Sequence, residues 1–342
     1  MAIALDLGSH TFRSLRLEGT ELKARSCHTV YSVLPALEAN CRLLEKSDIA
    51  YAICDGQIIL MGDEAAQLSP LFQKSAVPVL ADGKIPKNDP LARQVLATMI
   101  KSLLPANPPS GDLCCLTAPK MTPSGNDGDL TFFSKVVQLE GYRPVFLNES
   151  MALVLAELGH QGFTGLGLTF GASHCEATLA HQGKTIDFCK IPRGGNWIDE
   201  QLAQATDSFV RDKQENLCLN VDGVREQKEA SSKSILNPQS KFEHELSGIY
   251  RALVNDILHR AAKLFALSER THLLPQPMTV VCGGAVTMVP GFTELVRDVL
   301  NSLEFPVQIA SVSVSDDPDF GVARGCLIHA ELESSTLHSR VA

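Results

Sequence analysis

Residues 3–19, IALDLGSHTFRSLRLEG, and residues 166–183, LGLTFGASHCEATLAHQG, are written on one plan. Each is an apolar strand, a tight turn of glycine and small polar residues, a second alternating strand and a closing glycine. The stretch from Gly8 to Gly19 and that from Gly171 to Gly183 differ in spacing by one residue. One such hairpin is common. Two, placed near the start of each half, predict a duplicated lobe whose two equivalent turns face one cleft.

Working outward, strand and helix alternate as in a mixed α/β architecture. Residues 114–118 form a short apolar strand that runs into a polar loop, Pro119 to Asp129. A helix follows to about Glu140, ended by Gly141. Pro144–Leu147 reads as a strand, and Asn148 as the N-cap of a helix Met151–Leu158. Leu246, Ile249, Tyr250, Leu253, Ile257, Ala261, Leu264 and Phe265 recur at helical spacing and predict a long amphipathic helix. Met278–Cys282 is a further strand, followed by a Gly-Gly turn and a helix from about Phe292 to Leu303. The boundaries predicted are a first lobe at 1–150, with an insertion at about 27–75, and a second at 151–342, with an insertion at about 195–265.

The bulk numbers agree with two lobes of ordinary size: 342 residues, 44% hydrophobic and 20% charged. A formal charge of −9 argues against non-specific nucleic-acid binding, which needs clustered Lys and Arg. No apolar stretch reaches membrane-span length, and Met1-Ala2-Ile3-Ala4-Leu5 reads as the start of a strand rather than a leader or anchor. The expected location is the cytoplasm. Ten cysteines without a C-x-x-C pair then read as buried free thiols acting as small hydrophobes.

Four segments carry candidate chemistry. In Asp6-Leu7-Gly8-Ser9-His10-Thr11, a glycine turn lets backbone N–H groups approach phosphate, and a carboxylate beside it suits magnesium held through water. Asp-X-Gly also caps many ordinary hairpins. The second turn, Thr169-Phe170-Gly171-Ala172-Ser173-His174, has Thr where the first has Asp, and on its own reads as a plain hairpin. Val280-Val281-Cys282-Gly283-Gly284-Ala285 ends a strand with two glycines, which leaves room for a flat ring against the backbone or for tight packing at a helix entry. Asn148-Glu149-Ser150 puts a carboxylate at a strand-to-helix junction, suited to ordering a water or to complementing the helix N-terminus.

In this order the segments resemble the actin, Hsp70 and sugar-kinase superfamily, an α/β fold of two ribonuclease-H-like lobes around a nucleotide cleft. They are most similar to actin and to bacterial actins of the MreB and MamK type. Leu116-Thr117-Ala118-Pro119, GGNWIDEQL (194–202), Arg225-Glu226-Gln227, GGAVTMVPGF (283–292) and DPDFGVARGCLIHA (317–330) each resemble a segment of that family. The resemblance implies ATP or ADP with Mg2+ as ligand. Gly8, Ser9, His10 and Thr11 would form the first phosphate turn, and Gly171, Ala172 and Ser173 the second. Asp6 would approach the metal through water, and Glu149 the hydrolytic water. Gly283, Gly284 and Ala285 would hold the adenosine, with Arg225 and Glu226 on its other side.

Three departures weigh on turnover: Thr169 for the usual Asp, Ser173 for a glycine, and Ser150 for a proline. The resemblance therefore implies a filament-forming actin-like protein with self as partner and slow ATP hydrolysis, which Thr169→Asp would speed. A non-filamentous nucleotide-sensing scaffold with a degenerate site is the alternative. An exopolyphosphatase-like activity is favoured only by residues 6–13, which are also similar to the first turn of that family.

Overall fold

The computed structural model describes residues 2–106, 108, 111–119, 128–211 and 215–341. Most of the predicted loop Pro119–Asp129 thus lies outside the described residues. The chain forms two compact units, Met1–Leu147 with Cys326–Ala342, and Asn148–Gly325.

The first unit runs β1 (Ala2–Leu7), β2 (Thr11–Glu18), β3 (Glu21–His28), β4 (Val30–Pro35), α1 (Glu38–Lys46), β5 (Ala52–Cys54), β6 (Gln57–Met61), α2 (Gly62–Leu68), β7 (Val77–Pro78), α3 (Pro90–Leu103), β8 (Leu113–Thr117), α4 (Gly128–Leu139) and β9 (Arg143–Phe146). Its main sheet has the order β3-β2-β1-β8-β9. β1 is apolar except for Asp6 and buried at every position, as a central strand covered on both faces must be. Leu5, Leu7, Phe12, Leu96, Ile100, Leu116 and Phe133 lie in one core. Strands β5-β6-β4-β7 make a separate sheet with a small core of its own, Leu34, Leu44, Ile58, Leu60 and Ala65. The Asp89 side chain accepts from the Ala92 N–H at 2.9 Å and caps α3, whose first residue is Pro90. Gly141 follows α4, and its N–H donates to the Gln138 carbonyl.

The second unit runs α5 (Glu149–Glu157), β10 (Gly165–Phe170), β11 (Cys175–His181), β12 (Lys184–Ile191), α6 (Gly195–Ala205), β13 (Phe209–Arg211), β14 (Leu217–Leu219), α7 (Val221–Glu229), α8 (Lys241–Ala266), β15 (Met278–Gly283), α9 (Phe292–Ser302) and β16 (Ile309–Val314). α10 (Gly321–Val341) then carries the chain back into the first unit. The sheet order is β12-β11-β10-β15-β16. That is the order of the first sheet, strand for strand, with the same two antiparallel and two parallel pairings, so the duplication read from the two hairpins is a duplication of sheets. α8 buries Leu246, Tyr250, Leu253, Ile257, Ala261 and Phe265 as its periodicity predicts. Leu264, placed on that face by spacing, is 40% exposed. The Ser240 side chain caps α8 by accepting from the Glu243 N–H. Phe292 meets Phe170 and Tyr250 edge-to-face in the same core.

All ten cysteines are free. Cys114, Cys115, Cys175, Cys189, Cys282 and Cys326 are buried as small hydrophobes, whereas Cys218 is exposed. Among the described residues no helix is long and apolar enough to cross a membrane.

Candidate functional site

In the first unit the turn Gly8–His10 links β1 to β2. A Cβ at Gly8 would stand 2.8 Å from the Thr11 carbonyl oxygen, so the tightness of the turn itself requires glycine. Thr29, between β3 and β4, holds the turn: its hydroxyl donates to the Gly8 carbonyl at 3.1 Å and its N–H to that of His10 at 2.9 Å. Asp6 is buried at the end of β1, beside Arg13 of β2 and Thr117 of β8 by strand register. Its Oδ1 accepts from the Thr117 hydroxyl at 2.7 Å, and Arg13 Nη1 lies 3.9 Å from Oδ2. One carboxylate beside a backbone turn fits magnesium held mainly by phosphate oxygens and water. Among the described residues no group of three or more His, Cys, Asp or Glu side chains is placed to cage a metal.

In the second unit the turn Gly171–Ser173 links β10 to β11. The N-terminus of α6 seats on it: the Gly195 N–H donates to the Gly171 carbonyl and the Asn196 N–H to that of Ala172, both at 2.9 Å. Glu149 is the first residue of α5 and is 8% exposed. Its Oε2 lies 3.8 Å from where a Cβ on Gly171 would stand, which brings the candidate catalytic carboxylate to the second turn. Asn148 occupies the N-cap position but makes no side-chain cap hydrogen bond.

Gly283 closes β15 opposite Thr169 of β10, and Ala285 is exposed just beyond. Gly284 has φ +98°, and a Cβ there would stand 2.4 Å from the Phe170 carbonyl oxygen. Glycine is therefore dictated by the backbone itself, with or without a ring over it. Arg225 is drawn inward: its Nε donates at 2.8 Å to Asp199, a buried carboxylate that Lys228 also pairs with. Glu226 on the same helix is exposed.

Sequence reasoning passed over three residues beside Glu149. His174 Nε2 lies 3.2 Å from Glu149 Oε1 and 3.6 Å from Glu176 Oε1, without pointing squarely at either. Its Nδ1 is 3.1 Å from the Ser173 hydroxyl. Lys190 of β12 donates to Glu176 Oε1 at 2.9 Å, and the Ser150 N–H and hydroxyl reach Oε2. Burial works against a charged ring at His174, but the charge and hydrogen bonding of Glu149, with Glu176 adding to them, outweigh it and push its pKa up to about 9, against Lys190. Burial would likewise raise the Glu176 carboxyl, yet Lys190 and His174 hold it well below the usual carboxylate range.

The two hairpins also differ in charge at matching positions. Asp6 faces Arg13 across its pair of strands, and Thr169 faces Glu176 across the other. The Thr169 hydroxyl is buried with no hydrogen-bond partner among the described residues. Thr169→Asp thus puts a second buried carboxylate directly opposite the first, and it should lose at least about 1 kcal/mol in chemical denaturation. Thr169→Val, which only removes the unpartnered hydroxyl, should hold or raise stability. Equal stability of the two variants would show that the cross-strand charges do not interact.

The two sheets of one order, each with a glycine turn between its first two strands, make this an actin-like fold of the MreB and MamK type. The chain is similar over nearly its whole length to a MamK double helical filament, at 18% identity, with a TM-score of 0.70 and 97% of this chain and 99% of that one covered. It is similar to MreB 5 of Spiroplasma citri bound to AMPPNP, at 12% identity and a TM-score of 0.69, with 98% of each covered. A non-polymerising MamK mutant bound to AMPPNP matches at 18% identity and a TM-score of 0.59, over 96% of this chain and 98% of that one. The chain belongs to the volactin family, whose model matches residues 1–330. No curated protein matches it by sequence.

Proposed function

We propose that this chain is a cytoplasmic cytoskeletal actin-like protein that binds ATP with magnesium, assembles into filaments of itself and hydrolyses the nucleotide slowly. The observation that carries the reading is the buried carboxylate of Glu149 held at the Gly171–Ser173 turn within an actin-like fold. Binding of AMPPNP by the MamK mutant and by MreB 5, and the filament form of MamK, support it by likeness. In this reading the turns Gly8–Thr11 and Gly171–Ser173 offer backbone N–H groups to phosphates, Gly283, Gly284 and Ala285 lie along the adenosine, and Asp6 meets the metal through water. Arg225 and Glu226 close over the nucleoside, Arg225 from its pairing with Asp199. Glu149 orients the attacking water. Bound magnesium would neutralise phosphate charge.

Electron microscopy and sedimentation with ATP–magnesium, with ADP–magnesium and without nucleotide test assembly. Filaments are expected with ATP–magnesium, and a chain that stays monomeric across concentration and salt would replace this reading with the nucleotide-sensing scaffold. Thr169 favours that second reading, since it leaves the end of β10 without a carboxylate. For binding, Gly284 is a poor place to probe because any side chain there strains the backbone. Ala285→Trp, at an exposed position, should weaken ATP affinity in calorimetry while the protein stays folded. Unchanged affinity would remove the adenosine assignment.

A further inference from the structure

We propose that His174 is a positioning residue whose imidazolium bridges Glu149 and Glu176 and fixes the Glu149 carboxylate at the second turn. The role in hydrolysis rests on the reading above, whereas the bridge rests on geometry alone. His174 is 3% exposed and its Nε2 is within 3.6 Å of both carboxylates, one on α5 and one on β11. Nδ1 faces the Ser173 hydroxyl, which can donate to it or accept from it. Nε2 lies near two carboxylates, so protonation of the ring places a cation between two anions.

The charged groups facing the ring are Glu149 from α5, Glu176 from β11 and Lys190 from β12. Glu176 is anchored independently by Lys190 and by the Ser150 N–H and hydroxyl, and the Ser150 hydroxyl is itself tied to that of Thr178 at 2.6 Å. The arrangement is therefore a chain of support, Lys190 to Glu176 to His174 to Glu149, whose last two members stand at the turn. It gives Glu176, the cross-strand partner of Thr169, a use as the base of the bridge.

The sign of the pH dependence follows from the raised value. The bridge is fully formed below the ordinary histidine pKa and is lost as pH rises through about 9. If it holds Glu149 for catalysis, phosphate release should fall over that range.

The test uses the full chain labelled with 15N-histidine, its His174 signal assigned by absence in His174→Gln. One imidazole should titrate near pH 9 and move down towards the ordinary histidine range in Glu149→Gln. A His174 signal that titrates in the ordinary range, or ignores Glu149→Gln, overturns the bridge. In single-turnover assays with ATP–magnesium, His174→Gln should lose about a hundredfold in phosphate release and the alkaline fall with it, at unchanged ATP affinity. Full activity in that variant overturns the positioning role. Should the unmodified chain release no phosphate, the hydrolysis reading fails, and the titration in Glu149→Gln still supports or overturns the bridge by itself.

Discussion

Glu149→Gln is expected to lower phosphate release in a single turnover by about a hundred- to ten-thousandfold while ATP–magnesium affinity stays nearly unchanged. The amide keeps the size and shape of the side chain at the first position of α5. It loses the charge that, in the proposed reaction, orients water, and it replaces one acceptor oxygen with a donor NH2 group. The fold should survive, because Glu176 still faces His174 at 3.6 Å and keeps its own ties to Lys190 and Ser150. Binding should survive because the proposed phosphate contacts are from backbone, and Gly171 and Ala172 are held by α6 rather than by Glu149. Quenched single-turnover release at saturating magnesium, with affinity measured by calorimetry, separates the two effects. Release at the rate of the unmodified chain would remove Glu149 from the reaction.

What the sequence made legible was the repeated plan. The hairpins at 3–19 and 166–183 sit at matching places in two sheets of one strand order, and the position of Thr169 as counterpart of Asp6 follows from that alignment. The place of Glu149 at a strand-to-helix junction was legible, because Pro144–Leu147 reads as a strand and Asn148 as the start of a helix. Glu176 was not. It lies in CEATLA, where alternation marks one face as polar, yet Cys175 to Ala180 are all buried. A lone charge in such a run needs a partner, and that was the available signal. Its partner Lys190 lies on the next strand across a register shift at Leu179/Ala180, which no local pattern announces. Gly284 shows the same limit. Two glycines read equally as room for a ring or as a tight helix entry, and only the positive φ and the Phe170 carbonyl reveal that the backbone needs Gly284 in either case. Spacing along the chain gives periodicity and turns. Which charge answers which is settled by strand register, and the sequence does not print it.

That register leads to the largest expected loss of stability. Lys190→Met should destabilise the chain at neutral pH by about 3–5 kcal/mol, because it strips the closest cation from a carboxylate that is 1% exposed. Glu176 would be left with His174 at 3.6 Å and the Ser150 N–H and hydroxyl, too little to replace solvation. The direction with pH distinguishes this from simple loss of packing. In the unmodified chain the Glu176 carboxyl is depressed, so its contribution is present above the ordinary carboxylate pKa and is lost as pH falls through the depressed value. Without Lys190 the depression shrinks, and burial favours the protonated form earlier on acidification. The gap between the two proteins should therefore be widest near neutrality and close in acid. Lys190 also opposes the charge on His174, so its removal should push that imidazole further up rather than down. Adding Glu176→Gln to Lys190→Met should recover most of the loss, since no buried charge then lacks a partner. Denaturation midpoints at several pH values decide the matter: a loss that is the same in acid as at neutrality, or that Glu176→Gln fails to recover, would mean that Lys190 acts through its aliphatic stem and not through its charge.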